Sequence, residues 1–311
     1  MTKTAFIFPG QGSQYPGMGK ELAANFSVAR EVFQEADDAL GSSLSRLCFE
    51  GPEDELKLTA NTQPAILTAS VAAFRVAEAE TGIDAAFVAG HSLGEYSALV
   101  ASGALNFTDA VRTVRARGTF MQEAVPVGVG AMAAVLGVEP EVLAEICSEA
   151  AQGEVVSPAN FNSPGQIVIA GHTGAVGRAI EIAKTRGFRK AMLLPVSAPF
   201  HCSLMMPAAE RLAAILAPVQ VNAMKQPVVS NVEAKPNNDP DRVKDLLVRQ
   251  VCAPVLWDGS VQKMIDLGVS RFIEIGPGRV LSGLIKRIAK DVVIRNIEDQ
   301  SSLNALVQQS E

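Results

Sequence analysis

With 311 residues, 48% hydrophobic against 19% charged, the chain can bury a large core, and its length suggests about two domains or one core carrying an insertion; a peptide module and a disordered chain are excluded. The 27 Lys plus Arg against 33 Asp plus Glu leave a net charge of -6 and a pI near 5.3, so the molecule as a whole is not built to attract nucleic acid. Cys48, Cys147, Cys202 and Cys252 stand far apart without a C-x-x-C pair, which argues against a disulfide framework, a zinc site or a thioredoxin-type motif and fits a reducing cytoplasm.

In chain order, residues 4–8 form a short apolar strand that runs into Pro9 and Gly10. That start lacks the basic residues, long apolar stretch and cleavage site of a signal peptide, so no export signal is expected. Residues 21–40 and 64–81 carry helical spacing, 85–89 is a second apolar strand, and a turn leads into a helix over 93–102. Apolar strands alternating with helices imply a parallel sheet. Thr108 reads as the N-cap of a helix reaching about Glu123, with Asp109 in its first turn, and Pro126-Val127-Gly128-Val129-Gly130 then marks a boundary.

Residues 131–196 follow their own order: strand 131–136, helix 139–150, strand 154–159, turn 160–165, strand 166–170, helix 174–186, strand 190–196. That β-α-β-β-α-β sequence is the ferredoxin-like split unit, read as a subdomain (128–197) inserted into an α/β core made of 1–127 and 198–311. The chain re-enters the core near Ser197 with a helix over 202–216, a strand 227–232, a helix 241–250, a strand 271–275, the turn Gly276-Pro277-Gly278 and a last helix over 280–290. The polar tail from Asp299 reads as loose. The charge-free stretch 191–209 approaches membrane-spanning length but is broken by Pro195, Pro199 and Pro207, so no transmembrane segment is expected.

The sharpest local signal is Gly90-His91-Ser92-Leu93-Gly94, a G-x-S-x-G between strand and helix. Such an elbow lifts a serine hydroxyl above the sheet edge and turns the next backbone N–H toward a developing oxyanion. The plainer reading is a capping box, since Ser92-Leu93-Gly94-Glu95 is also S-x-x-E. A serine nucleophile needs a base, and the chain has only 3 histidines. His91 should diverge from its neighbour Ser92, His172 falls after a strand of the inserted unit as a surface loop residue, and His201 stands where the chain re-enters the core. His201 is thus the candidate base, with a structural histidine at a helix start as the alternative. Cys202 reads as a small buried residue. An α/β-hydrolase triad places an acid between serine and histidine, yet the only aspartate in that interval is Asp109, which has a first-turn explanation, and the glutamates fall mostly on polar helix faces. A backbone carbonyl is therefore the alternative acceptor for orienting His201.

On the helix through residue 123, Val111, Val114, Gly118 and Met121 mark the inner stripe. Arg117 lies about 60° from its centre, Arg115 about 100° and Arg112 about 160°. Only Arg117 leans inward, where a guanidinium needs a partner, either a structural carboxylate or a bound anion. The glycine-rich start fails both nucleotide-loop patterns, because Tyr15 stands where a dinucleotide fingerprint needs glycine and Glu21 follows Gly19-Lys20. A turn offering backbone donors is the better reading.

These motifs, together with Phe8-Pro9-Gly10-Gln11-Gly12-Ser13-Gln14, Thr62-Gln63-Pro64-Ala65, Arg117-Gly118, the stretch Pro199-Phe200-His201-Cys202 and Gly276-Pro277-Gly278, stand in the order found in malonyl-CoA:acyl carrier protein transacylases, and the chain resembles that family over almost its whole length. The resemblance implies an α/β fold, a hydrolase-like core with a short parallel sheet flanked by helices and an inserted ferredoxin-like subdomain. It implies Ser92 as nucleophile, His201 as base, the main-chain carbonyl of Gln250 as partner of the imidazole, and the N–H groups of Gln11 and Leu93 as oxyanion hole. Arg117 would clamp the malonyl carboxylate, with Gln63, His91 and Phe200 also around the substrate; the Phe200 ring resembles acyltransferases that exclude methylmalonyl. Ala253 departs from the family pattern, which has a polar residue beside that carbonyl.

The implied reaction is a ping-pong malonyl transfer from malonyl-CoA to acyl carrier protein in fatty acid biosynthesis, in the cytoplasm, with no cofactor beyond the CoA thioester substrate, no metal, no nucleic acid and no membrane. Lys286, Arg287 and Lys290, or Arg186, Arg189 and Lys190, are the basic groups that could meet an acidic carrier. A serine ester hydrolase, a polyketide-type acyltransferase and a noncatalytic carrier-binding module are the competing readings.

Overall fold

The computed structural model describes residues 3–196 and 198–308. Its strands are β1 (Lys3–Phe8), β2 (Phe87–Gly90), β3 (Gly130–Leu136), β4 (Val156–Ser163), β5 (Gln166–His172), β6 (Ala191–Leu193), β7 (Val228–Ser230), β8 (Lys235–Asn237), β9 (Val255–Leu256), β10 (Val269–Ile275) and β11 (Val293–Ile297). Its helices are α1 (Lys20–Asn25), α2 (Ser27–Leu40), α3 (Leu44–Glu50), α4 (Glu53–Leu56), α5 (Thr59–Thr81), α6 (Gly94–Ala101), α7 (Phe107–Glu123), α8 (Pro140–Ala151), α9 (Thr173–Thr185), α10 (Met206–Leu216), α11 (Val243–Cys252), α12 (Trp257–Asp266), α13 (Val280–Ile288) and α14 (Gln300–Val307). Among the described residues, no helix is long and apolar enough to cross a membrane.

The first sheet has the order β11-β10-β1-β2-β7-β8. Its first five strands are parallel and β8 closes the edge antiparallel. In β1 five of six residues are buried, as expected of a strand covered on both faces. Phe6 and Phe8 enter the cluster formed with α2, α5 and α7, whereas Ala5 and Ile7 pack beneath α12 and α13 around Trp257.

The second sheet has the order β6-β3-β5-β4-β9. β3 to β6, with α8 and α9 between them, follow the expected β-α-β-β-α-β order and pair antiparallel. Strand alternation divides its side chains: Ala133, Val135, Ile167 and Ile169 pack against α8 and α9, while Met132, Val168 and Ala170 face the main core. β9, which comes from the chain after its return, adds a parallel fifth strand to β4.

Several sequence expectations need correction. The helix over 21–40 is two helices, because Phe26 is extended and ends α1. α5 starts at Thr59 and runs through Pro64; Pro64 lies past the first turn and forfeits the bond to Ala60 O, but most of α5 is buried, and packing overrides that local cost. Asn106, not Thr108, is the N-cap of α7, and the Thr108 hydroxyl donates instead to Glu35 at 2.7 Å. Residues 160–163 are strand, with pairing shifts that mark bulges, leaving Pro164 and Gly165 as the turn. α3, α4, β8, β9, α12 and β11 have no counterpart among the expected elements. The tail is also ordered: Asp299 and Ser302 form a reciprocal capping box that starts α14. The return near Ser197 falls outside the described residues.

Candidate active site

The turn between β2 and α6 lies at the carboxyl end of the parallel sheet, where open α/β sheets bind ligands. A Cβ on Gly90 would lie 1.9 Å from the Gly94 carbonyl, and one on Gly94 would lie 2.1 Å from Phe8 O, so the two glycines are a steric requirement of the elbow. Ser92 between them has φ 52, a left-handed conformation that an ordinary residue avoids. Asn231, just beyond the end of β7, holds it there: its Oδ1 accepts the Ser92 N–H at 2.6 Å and its Nδ2 donates to Gly90 O at 2.7 Å.

His201, also left-handed at φ 61, lies with Nε2 2.8 Å from Ser92 Oγ and Nδ1 2.8 Å from Gln250 O. A carbonyl can only accept, so Nδ1 carries the proton and Nε2 accepts from the serine hydroxyl. Burial, then the Arg117 charge, lowers the imidazole pKa to about 3, which keeps the ring neutral, with Nε2 free to accept the serine proton.

Arg117 is 1% exposed. α7 approaches α5 closely enough that a Cβ on Gly118 would stand 2.6 Å from Thr59 O, and this brings Arg117 beside Gln63. Nη1 donates to Gln63 Oε1 at 2.7 Å; Nη2 donates to Gln250 Oε1 at 2.9 Å and to Ser92 Oγ at 3.2 Å. Its Nε is buried without a partner among the described residues. These acceptors are neutral, so the guanidinium is oriented without being neutralised by contact. The helical stripe separated it correctly from Arg115, which bonds Asn61 Oδ1, and from Arg112, which donates to Ala39 O.

The site opens into a cleft of about 180 Å³. Eight of the nine residues singled out from the sequence line it: Gln11, Gln63, His91, Ser92, Leu93, Arg117, Phe200 and His201. Gln250 stands behind them, joined through Arg117, His201 and Ser92. Met121, Met132, Val168, Leu194 and Val196 supply an apolar wall, and Asn160 and Asn162 a polar one. His91 diverges from Ser92 as expected; its Nε2 lies 2.8 Å from Asn162 Oδ1.

The capping-box reading of Ser92 and Glu95 fails. Ser92 Oγ is engaged by His201 and Arg117, and Glu95 Oε2 accepts from Asn231 N at 3.1 Å and Gln250 Nε2 at 2.8 Å. His172 is no loose surface residue either: its Nδ1 accepts the Val155 N–H at 2.9 Å. Asn160, Asn162 and Asn231 were missed. The polar pair Ser230-Asn231 directly after the apolar Val228 and Val229, at a strand's carboxyl end, was the signal available for Asn231. For Asn160 and Asn162 it was their period-two spacing around Phe161.

A family model described as the acyl transferase domain matches residues 5–307. The malonyl CoA-acyl carrier protein transacylase of Escherichia coli strain K12 is 51% identical over 308 residues, 99% of this chain and 100% of that one. Among solved structures, the malonyl CoA-acyl carrier protein transacylase of Coxiella burnetii has TM-score 0.97 at 44% identity, covering 99% of this chain and 98% of that one. A malonyl-transacylase solved in complex with a type II PKS acyl-carrier protein has TM-score 0.96 at 46% identity, covering 99% of this chain and 100% of that one.

Proposed function

This chain belongs to the acyl transferase domain family, and we propose that it moves a malonyl group from malonyl-CoA to the phosphopantetheine thiol of acyl carrier protein for fatty acid biosynthesis. One observation carries the reading. The hydroxyl of Ser92 sits 2.8 Å from a neutral imidazole nitrogen and 3.2 Å from a buried guanidinium that has no carboxylate hydrogen-bond partner among the described residues, an arrangement suited to an acyl group with a free carboxylate.

In the first half-reaction Ser92 Oγ attacks the thioester carbonyl carbon while His201 Nε2 takes its proton. Charge then develops on the carbonyl oxygen. The Ser92 and Gly94 N–H groups are engaged by Asn231 Oδ1 and His91 O, which favours the Leu93 N–H, with that of Gln11 across the cleft, as the oxyanion donors. Collapse breaks the C–S bond, and the imidazolium returns its proton to the departing thiolate. The second half runs in reverse, with the carrier thiol attacking the malonyl-Ser92 ester. Gln250 O stabilises the transient imidazolium through Nδ1–H, the task an acid performs in a triad. Gln63, His91 and Phe200 bound the acyl pocket; the clamp by Arg117 favours malonyl over uncharged acyl groups.

Residues 1–127 and 198–311 make the catalytic core and 128–197 a subdomain, a division supported by the separate apolar cluster under α8 and α9. A polyketide-type carrier is the second reading, favoured by the likeness to the transacylase solved with a type II PKS carrier; transfer to each carrier, compared in one assay, separates the two. The test of the chemistry is intact-mass analysis after mixing with malonyl-CoA. A single malonyl adduct is expected on the wild-type chain and none on Ser92→Ala; an adduct that persists in Ser92→Ala, or release of free malonate outpacing transfer to the thiol, refutes the proposal.

A further inference from the structure

Glu95 is a buried titratable residue, 3% exposed, to which the reaction above gives no task. It lies in the first turn of α6, and its Oε2 accepts from Asn231 N and from Gln250 Nε2. Gln250 then reaches the reacting groups on three sides. Nε2 also donates to Ser92 O at 3.0 Å, Oε1 accepts from Arg117 Nη2 at 2.9 Å, and the main-chain carbonyl accepts from His201 Nδ1.

A primary amide has one accepting end and one donating end. A carboxylate can only accept and a guanidinium can only donate, so Glu95 and Arg117 on opposite ends leave the Gln250 amide one orientation and polarise it. Among the described residues Arg117 meanwhile has only neutral hydrogen-bond partners, Gln63, Gln250 and Ser92. A carboxylate in direct contact would neutralise the guanidinium and compete with an incoming acyl carboxylate. One amide further away, it balances a buried cation and leaves it accessible.

We propose that Glu95 is a positioning residue for the acyl-carboxylate clamp, aligning and balancing Arg117 through the side-chain amide of Gln250. This rests on the malonyl-transfer reading. Burial raises the Glu95 carboxyl to about 7, against the pull of Gln250, Asn231 and Arg117, so the charged form that this role needs predominates above that pH.

The experiment compares transfer from malonyl-CoA and from acetyl-CoA to holo acyl carrier protein for the wild-type chain, Arg117→Ala, Glu95→Ala and Glu95→Gln. The malonyl-to-acetyl ratio of kcat/KM is expected to fall about tenfold in Glu95→Ala, the size of a lost charge-assisted hydrogen bond, and about threefold or more in the isosteric Glu95→Gln, which lacks only the charge. A purely structural role would lower both transfers together, and an unchanged ratio in Glu95→Gln overturns the inference even if Glu95→Ala does not fold. Arg117→Ala separates the two levels. If its ratio is unchanged, the clamp itself is wrong; if its ratio falls while the Glu95 variants keep theirs, only the role of Glu95 is lost.

Discussion

Four non-glycine residues among those described have positive φ, and two of them are Ser92 and His201. Left-handed backbone costs about 1–3 kcal/mol per residue unless the surroundings enforce it; at Ser92 the Asn231 side chain does so, bonding both the serine N–H and Gly90 O. The same burial that fixes the pair sets its protonation. Neutral His201 is the active base, so a pKa lowered to about 3 by burial and the neighbouring Arg117 moves the acid limb of acylation downward. An ordinary histidine near 6.5 would lose about tenfold in rate between pH 7.5 and 5.5. In Glu95→Gln, where the neighbouring carboxyl cannot titrate, malonyl-adduct formation at pH 5.5, followed by rapid-quench mass spectrometry, should stay within about threefold of its value at pH 7.5, and a tenfold drop would show that His201 titrates normally.

Among the elements, legibility followed the strength of the local pattern. β1, β2 and α7 carry long apolar runs or stripes and were read within a few residues. The missed elements lack such runs: β9 has two residues, β11 is mostly half-exposed, and α12 contains Gly259 and has no side-chain cap. α14 replaces the loose tail that its polar residues suggest, because Asp299 and Ser302 satisfy each other's backbone N–H groups. Replacing that cap should cost about 0.5–2 kcal/mol. For Asp299→Ala we therefore expect a lower urea midpoint with malonyl transfer at the wild-type rate, and an unshifted midpoint would mean that α14 is held by packing of Leu303 and Leu306 alone.

At the scale of the molecule, the site is shared by both sheets: Ser92 and Arg117 come from elements around the first, Met132, Asn160 and Val168 from the second. The β4–β9 pairing and a common apolar cluster tie the sheets together, with the single tryptophan, Trp257, fully buried beside His91 near that junction. Unfolding in urea should therefore be one transition, with Trp257 fluorescence and far-UV circular dichroism coinciding; separated midpoints would mean that the second sheet unfolds independently. The amino-acid sequence by itself determined the parallel strands, the glycine-flanked elbow and the inward lean of Arg117, and its shortage of candidate acids pointed toward a carbonyl beside His201. Each of these follows from periodicity, residue size or composition within a short stretch. Only the tertiary structure decided that Asn231 closes the elbow from 139 residues away, that Glu95 meets Gln250 across 155, and that Arg117 is oriented by amides instead of a carboxylate. Hydrogen bonds of that reach depend on how the elements pack, which no local pattern encodes.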